Sequence, residues 1–252
     1  MMFIEAPQGT AAWYQARVGK ITASCFADAV SRIGGLDERQ QKYVTLVRGG
    51  ADKAVAQAEA GYKVAPSSDL VRRALLGEET SEPSDTARRY AADLAIERIS
   101  AAPHGEPIKT WVLERGHEME TKARMIYEAR TGAFVTEAGI CVSDDGIFGY
   151  STDGLVDDDG LIEIKAPIDS IKILDMLRTG DVSEYEHQMQ GGMWITGRKY
   201  CDFIMYVPDL ASVGKDLFVK RIERDDIFID KLVQDLATFD GLVKEYEKGL
   251  RS

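Results

Sequence analysis

Two short runs hold the residues whose types and spacing point to chemistry: Ser151-Thr152-Asp153-Gly154-Leu155 and Glu163-Ile164-Lys165. In an extended chain Glu163 and Lys165 project from one face, because side chains two apart share a face. Charges in a strand otherwise made of Leu161, Ile162 and Ile164 are costly to bury without partners. Asp153, just before Gly154, falls at a strand-to-turn junction where a sheet holds it but leaves it accessible. A divalent cation answers the cost of burial, and Mg²⁺ takes hard oxygen ligands: one or two carboxylates, waters and a phosphate. Lys165 is no ligand while protonated, but it can orient an attacking water or steady charge on a phosphate. Glu120 is a further carboxylate on the helix preceding the strands. With it a second metal can clamp the attacking and leaving oxygens of an in-line displacement. A plainer arrangement fits the same residues. A hairpin turning at Asp157-Asp158-Asp159-Gly160 would leave Glu163 and Lys165 as a surface pair, since so short a pattern arises by chance.

Such side chains need elements to hold them. Trp13-Tyr14-Gln15-Ala16-Arg17 precedes a break at Gly19, and Thr22-Ala23-Ser24 supplies caps for a short helix carrying Phe26, Ala29 and Val30. Residues 34–85 are less regular and read as an insertion or mobile arm, with Glu78 to Asp85 as a loop. A helix is expected over 85–100, capped by Asp85 or Thr86, with Tyr90, Leu94 and Ile99 near one stripe. A loop around Pro103 and Pro107 leads to a second helix over 110–131, stopped by Gly132. The period then changes. Ala133 to Ser143 alternates, Phe148-Gly149-Tyr150 is extended, and Leu161 to Lys165 is a strand ended by Pro167. A helix over 184–196, strands at Cys201–Val207 and Lys215–Ile222, and a long helix from Asp225 to Lys248 complete the order. That order is an α/β domain around a mixed sheet.

At 252 residues and 44% hydrophobic, the chain is long enough for one large domain, or one domain with an insertion. No run reaches the roughly 18–20 apolar residues of a membrane span, and no membrane partner is expected. The first residues lack a signal-peptide pattern. Cys25, Cys141 and Cys201 are far apart and suggest reduced thiols of a cytoplasmic protein. The net charge of −11 weighs against a nucleic-acid partner. It does so only as a global sum, since an enclosed channel can be locally positive with bound metal ions.

The surrounding motifs carry a resemblance. Trp13-x3-Arg17-x-Gly19-x-Ile21-Thr22-Ala23-Ser24, Gly116-x3-Glu120-x2-Ala123-Arg124, Ser151-x-Asp153-Gly154-Leu155, Glu163-x-Lys165-x-Pro167 and Gln188-x-Gln190-x3-Trp194 follow in order. Together they resemble the YqaJ-like viral recombinase or phage lambda exonuclease family, within the PD-(D/E)XK nuclease superfamily. The resemblance implies a restriction-endonuclease-like α/β core with a central mixed β-sheet flanked by helices. It implies a Mg²⁺-dependent 5′→3′ exonuclease on double-stranded DNA, releasing 5′-mononucleotides and leaving 3′ overhangs, with Mn²⁺ as a substitute metal. Asp153, Glu163 and the Ile164 carbonyl are then ligands of one Mg²⁺. Glu120 serves a second ion or its waters, and Lys165 orients water. Arg17, Ser24 and Ser151 match a pocket for a 5′-terminal phosphate, where a guanidinium fork and hydroxyls suit the anion. Gln188 and Gln190 match polar helix positions near the site, with Gln190 favoured because Trp194 follows at i+4.

By the same resemblance the chain forms a homotrimer around DNA ends, pairs with a phage single-strand annealing protein, and works in the cytoplasm of a bacterial host, encoded by a phage or prophage. His117 and His187 match no family catalytic position and read as local hydrogen bonders, Glu118 as a solvated partner. Trp111, Tyr127 and Trp194 read as packing aromatics. Residues 34–85 are not matched to the family's pattern, and could alter DNA entry or oligomer contacts. Two rivals remain. One is a structure-specific or Cas4-like nuclease, the latter disfavoured because three scattered cysteines cannot ligate an iron–sulfur cluster. The other is a noncatalytic DNA-end-binding protein, for which a same-face Glu–Lys pair has little use.

Overall fold

The chain crosses between two small sheets at the very segment that carries Asp153, and this crossing organises the site. A computed structural model describes residues 1–105 and 110–252, apart from the side chains of residues 110–114. The expected roles of Pro107 and Trp111 lie outside what is described. In chain order, strand β1 (Met2–Ile4), helix α1 (Ala11–Arg17), strand β2 (Ile21–Thr22) and helix α2 (Phe26–Ala29) come first. Strand β3 (Arg32–Gly34), helices α3 (Glu38–Arg48), α4 (Lys53–Glu59) and α5 (Asp69–Leu75), and strand β4 (Ser81–Pro83) follow. Helices α6 (Asp85–Ser100) and α7 (Thr110–Thr131) lead to strands β5 (Val135–Thr136), β6 (Ile140–Val142), β7 (Phe148–Ser151), β8 (Gly154–Val156) and β9 (Gly160–Lys165). Helices α8 (Ser170–Thr179) and α9 (Glu186–Thr196), strands β10 (Tyr200–Tyr206) and β11 (Leu217–Glu223), and helix α10 (Asp226–Arg251) complete the chain.

Two compact units emerge, residues 1–30 with 89–252 and residues 31–88. In the larger unit one sheet has the order β1-β6-β7-β2 and the other β11-β10-β9-β8-β5. The second is mixed. β9 runs antiparallel to β8, pairing Gly154 with Ile162, and parallel to β10, pairing Glu163 with Phe203. Ile162 and Ile164 turn to one face of β9, where Ala123 and Tyr127 of α7 join Val135, Val156, Ile204 and Tyr206 in a core cluster. The alternation sends Leu161, Glu163 and Lys165 to the other face. Helix α9 carries Gly192 against β7, so closely that a Cβ there would stand 2.6 Å from the Tyr150 ring. Among the described residues no helix is long and apolar enough to cross a membrane.

Several local expectations are corrected. Residues 34–85 are not irregular. Asp37, Asp52 and Ser68 cap α3, α4 and α5, and Tyr43, Val44, Ala56, Ala60, Val71 and Ala74 form a core of their own. The acidic tract 78–85 contains β4, paired antiparallel with β3. Ser84 supplies the hydroxyl that accepts the Ala87 N–H at the start of α6, not Asp85 or Thr86. Neither Thr22 nor Ser24 caps the following turn, which has no side-chain cap. The alternating stretch 133–143 splits into β5 and β6, which belong to different sheets. Helix α8 was not expected; Asp169 caps it through the Ile171 and Lys172 N–H groups, and Gly180 closes it. The three cysteines are free thiols, two of them buried.

Candidate active site

Strand β9 brings Glu163 into the interior with only 1% of its surface exposed. The hairpin at residues 157–160 is present, with Asp157 in the left-handed region (φ 45°), yet Glu163 is no surface residue. A lone buried carboxylate would cost several kcal/mol, roughly. Here three neighbours meet it. Lys165 Nζ lies 2.7 Å from Oε1, Gln188 Nε2 donates to Oε1 at 2.6 Å, and the Tyr150 hydroxyl donates to Oε2 at 3.3 Å. Lys165 also donates to Gln188 Oε1 at 3.3 Å, closing a ring of three side chains. Burial works against the Lys165 ammonium, but Glu163 and Asp153 outweigh it and hold its pKa above the usual lysine range.

Asp153 sits between β7 and β8, where the chain leaves one sheet for the other. Its Oδ2 accepts the Ile164 N–H at 2.6 Å, which pins the carboxylate against β9. Burial, then Glu163 and Glu120, push its carboxyl well above the usual range. Burial also raises Glu120, as does Glu163, against the opposing pull of His117. Glu120 and Asp153 line one cavity of about 360 Å³, with His117 and Arg124 at its wall. Asp153 and Glu120, both raised by burial and by the Glu163 charge, are hard oxygen donors that together with Glu163 fit a hard cation such as Mg²⁺. Among the described residues no three His, Cys, Asp or Glu side chains close around one point. The set therefore fits an ion that keeps waters or substrate oxygens among its ligands.

A second cluster lies at the other end of the same short segment. Trp13 Nε1 donates to Ser151 Oγ at 2.8 Å, and the Arg17 guanidinium lies over the Trp13 ring, 4.4 Å from its centroid. Arg17 donates to Thr22 Oγ1 (3.1 Å) and Ser24 Oγ (3.4 Å). Arg17, Ser24 and Ser151 are thus gathered, with Trp13 as the link and Thr22 as a further hydroxyl. A planar cation beside hydroxyls is a phosphate-binding chemistry. Ser151 ends β7 and Asp153 stands two residues on, so one short run of chain joins the two clusters.

Gln190 is a correction. Its amide is engaged elsewhere, donating to the Glu223 carbonyl (2.9 Å) and accepting the Asp225 N–H (2.9 Å), so it ties α9 to the start of α10. Gln188 is the glutamine that meets Glu163 and Lys165. Trp194 packs on Phe148 and Phe26, and the Tyr127 hydroxyl donates to buried Asp202, so neither is a surface platform. Glu118 pairs with Lys122, and His187 packs edge-on to Phe228. His117 Nδ1 lies 3.8 Å from Glu120. Sequence reasoning missed Tyr150 and Thr22 as site groups. The i, i+4 spacing of Trp13 and Arg17 does foretell their shared helix face.

Residues 12–199 match the model of the YqaJ-like viral recombinase domain. The chain belongs to that family. Among solved structures, an alkaline exonuclease (LHK-Exo) from Laribacter hongkongensis matches over 96% of each chain, with 28% identity and a TM-score of 0.68. The same protein in complex with dAMP matches with 29% identity, 96% coverage of each chain and a TM-score of 0.70. A phage related exonuclease from Haemophilus somnus 129PT shares the fold at 16% identity and TM-score 0.56, over 92% of this chain and 94% of that one. No curated protein sequence matches. This YqaJ-domain chain thus has a mixed α/β, restriction-endonuclease-like fold, as the resemblance implied.

Proposed function

We propose that the chain is a Mg²⁺-dependent 5′→3′ exonuclease on double-stranded DNA, which releases 5′-mononucleotides and leaves 3′ single-stranded overhangs for phage-type recombination. One observation carries the reading. Ser151-Thr152-Asp153 ties a guanidinium and hydroxyl pocket, reached through Trp13, to the buried Glu163–Lys165–Gln188 ring. The similar proteins support it, since one is an alkaline exonuclease whose complex holds dAMP, a deoxynucleoside monophosphate. Arg17, Ser24 and Ser151 hold the terminal phosphate, which carries more charge than an internal diester. Lys165, kept charged by Glu163 and Asp153, orients the attacking water and steadies charge developing on the next phosphate. Gln188 holds the Glu163 carboxylate and the Lys165 ammonium in register. Asp153, Glu163 and the Ile164 carbonyl would hold one Mg²⁺ and Glu120 a second ion or its waters, and the metal would supply Lewis acidity at the reacting phosphate.

On family grounds the reading extends to a homotrimer, a phage single-strand annealing partner and the cytoplasm of a bacterial host. The test is digestion of a linear duplex carrying a 5′-phosphate on one strand only, with Mg²⁺ and with EDTA. Loss of that strand alone, as mononucleotides and only with Mg²⁺, is expected. Internal cuts, or equal attack on both strands, would overturn the reading.

A further inference from the structure

The turn between α1 and β2 has Arg17 at one end and Thr22 at the other, and helix α6 grips its middle from both sides. The Gly19 N–H donates to Glu97 Oε2 at 2.7 Å, and the Gly19 carbonyl accepts from Arg98 Nε at 2.9 Å. Gly19 has φ +67°, and a Cβ there would stand 2.7 Å from Arg98 Cγ, so conformation and close approach both require glycine. The other Glu97 oxygen accepts the His104 N–H. Arg98 is held in turn by the C-terminal helix: its Nη2 lies 2.8 Å from Asp240 Oδ1, and its Nη1 3.7 Å from Glu247 Oε2. Near the start of α6, the Tyr90 hydroxyl accepts the Thr22 N–H at 3.0 Å, while its ring stacks on Phe239 of α10. Three backbone groups of one short turn are thus fixed by α6, whose side chains α10 backs. The α10 part of this brace lies beyond residues 12–199, the stretch matched to the family.

We infer that Glu97 and Arg98, backed by Asp240, are positioning residues for the 5′-terminal phosphate, because they fix the turn that aims Arg17 and Thr22 into its pocket. The inference rests on the phosphate-pocket reading above. None of the three touches the metal ligands or the Glu163–Lys165–Gln188 ring. Releasing Gly19 frees backbone torsions that an arriving phosphate must then immobilise, so the cost falls on binding the end and not on the chemical step.

The experiment compares initial rates on 5′-phosphorylated and 5′-hydroxyl duplex ends across substrate concentration. Glu97→Ala is expected to raise KM for phosphorylated ends about tenfold, as for loss of one charge-assisted hydrogen bond, with kcat within about twofold of wild type. Glu97→Gln, which keeps an acceptor for Gly19, is expected to restore most of the loss. Asp240→Asn, read in the same assay, should shift KM in the same direction and carries the test if Glu97→Ala fails to fold. A folded Glu97→Ala or Asp240→Asn with an unchanged phosphate preference overturns the inference, as does a fall in kcat alike on both ends at constant KM. Arg17→Ala separates the two readings. If it abolishes the preference while the brace variants keep it, only the brace is wrong. If wild type has no preference, the pocket reading fails and the brace with it.

Discussion

At Asp153 burial comes first, and Glu163 and Glu120 second, in making the charged form costly. A carboxyl whose pKa is raised in the fold adds stability below its unfolded value and loses that contribution as pH rises through the folded value. Metal-free protein therefore carries a penalty at Asp153 above the ordinary carboxylate range. Asp153→Asn should relieve it while keeping an acceptor for the Ile164 N–H. The variant is expected to melt higher than wild type in EDTA, with a larger gain at about pH 8 than at about pH 5. Each kcal/mol relieved is worth roughly 2–4 °C in a chain of this size. It should also lose both Mg²⁺-dependent cleavage and the rise in melting temperature expected of wild type in Mg²⁺. A variant that melts lower at every pH, or still cleaves, would remove Asp153 from the metal site. The two glutamines diverge at the same scale. Gln188→Ala should lower kcat about 10–100-fold and also cost about 1–3 kcal/mol of stability, since it orients Lys165 and donates to the buried Glu163 carboxylate. Gln190→Ala, leaving the Asp225 N–H and Glu223 carbonyl without their side-chain partner, should cost about 1–3 kcal/mol in urea unfolding and spare kcat.

Helix α9 sets how far Gln188 reaches, and its depth on β7 depends on Gly192 meeting the Tyr150 ring. Gly192→Ala is expected to push the helix outward, at about 1–3 kcal/mol by overpacking. It should also lower kcat, because both Tyr150 and Gln188 contact Glu163. Urea unfolding and single-turnover rates check the pair; a stability loss without a rate loss would uncouple the helix from the site. Here the limits of reading the sequence become physical. The period-2 run Leu161–Lys165 announced β9, and the same-face Glu163 and Lys165 followed from it. The choice of Gln188 over Gln190 did not. Both lie on one helix, and which of them meets β9 depends on how α9 is rotated over the sheets. Trp194 at i+4 pointed the wrong way because it packs with Phe26 and Phe148, away from the carboxylates. Helix α8 was missed although its apolar spacing is amphipathic; of that spacing only Met176 is fully buried, while Ile171 and Leu174 face solvent.

Every residue assigned to the candidate site belongs to the larger unit, residues 1–30 and 89–252, and none to residues 31–88. The smaller unit was illegible in sequence because its helices are short and half of its fully buried core is alanine, which gives weak periodicity. Strands β3 and β4 pair Gly34 with Ser81, so a two-residue turn could join them directly. A chain shortened in this way, from Gly35 to Thr80, is expected to fold and to keep its Mg²⁺-induced thermal shift. Loss of that shift in a folded variant would show that residues 31–88 contribute to the metal site. For the full chain, the proposed homotrimer, taken as a closed ring, predicts a light-scattering mass about three times the 27.8 kDa chain mass. A monomer that still degrades DNA would leave the chemistry standing and remove the ring.

Trp13 has an optical consequence. Its indole lies beneath the Arg17 guanidinium and is hydrogen-bonded to Ser151, while Trp194 is packed among phenylalanine rings. With Trp111 and Trp194 replaced by phenylalanine, the emission of Trp13 becomes a private reporter of that pocket. An oligonucleotide 5′-phosphate, added in EDTA so that nothing is cut, should change its intensity and wavelength as the anion draws the guanidinium off the ring. The occupancy of the strand end could then be timed by stopped flow, separately from any bond broken.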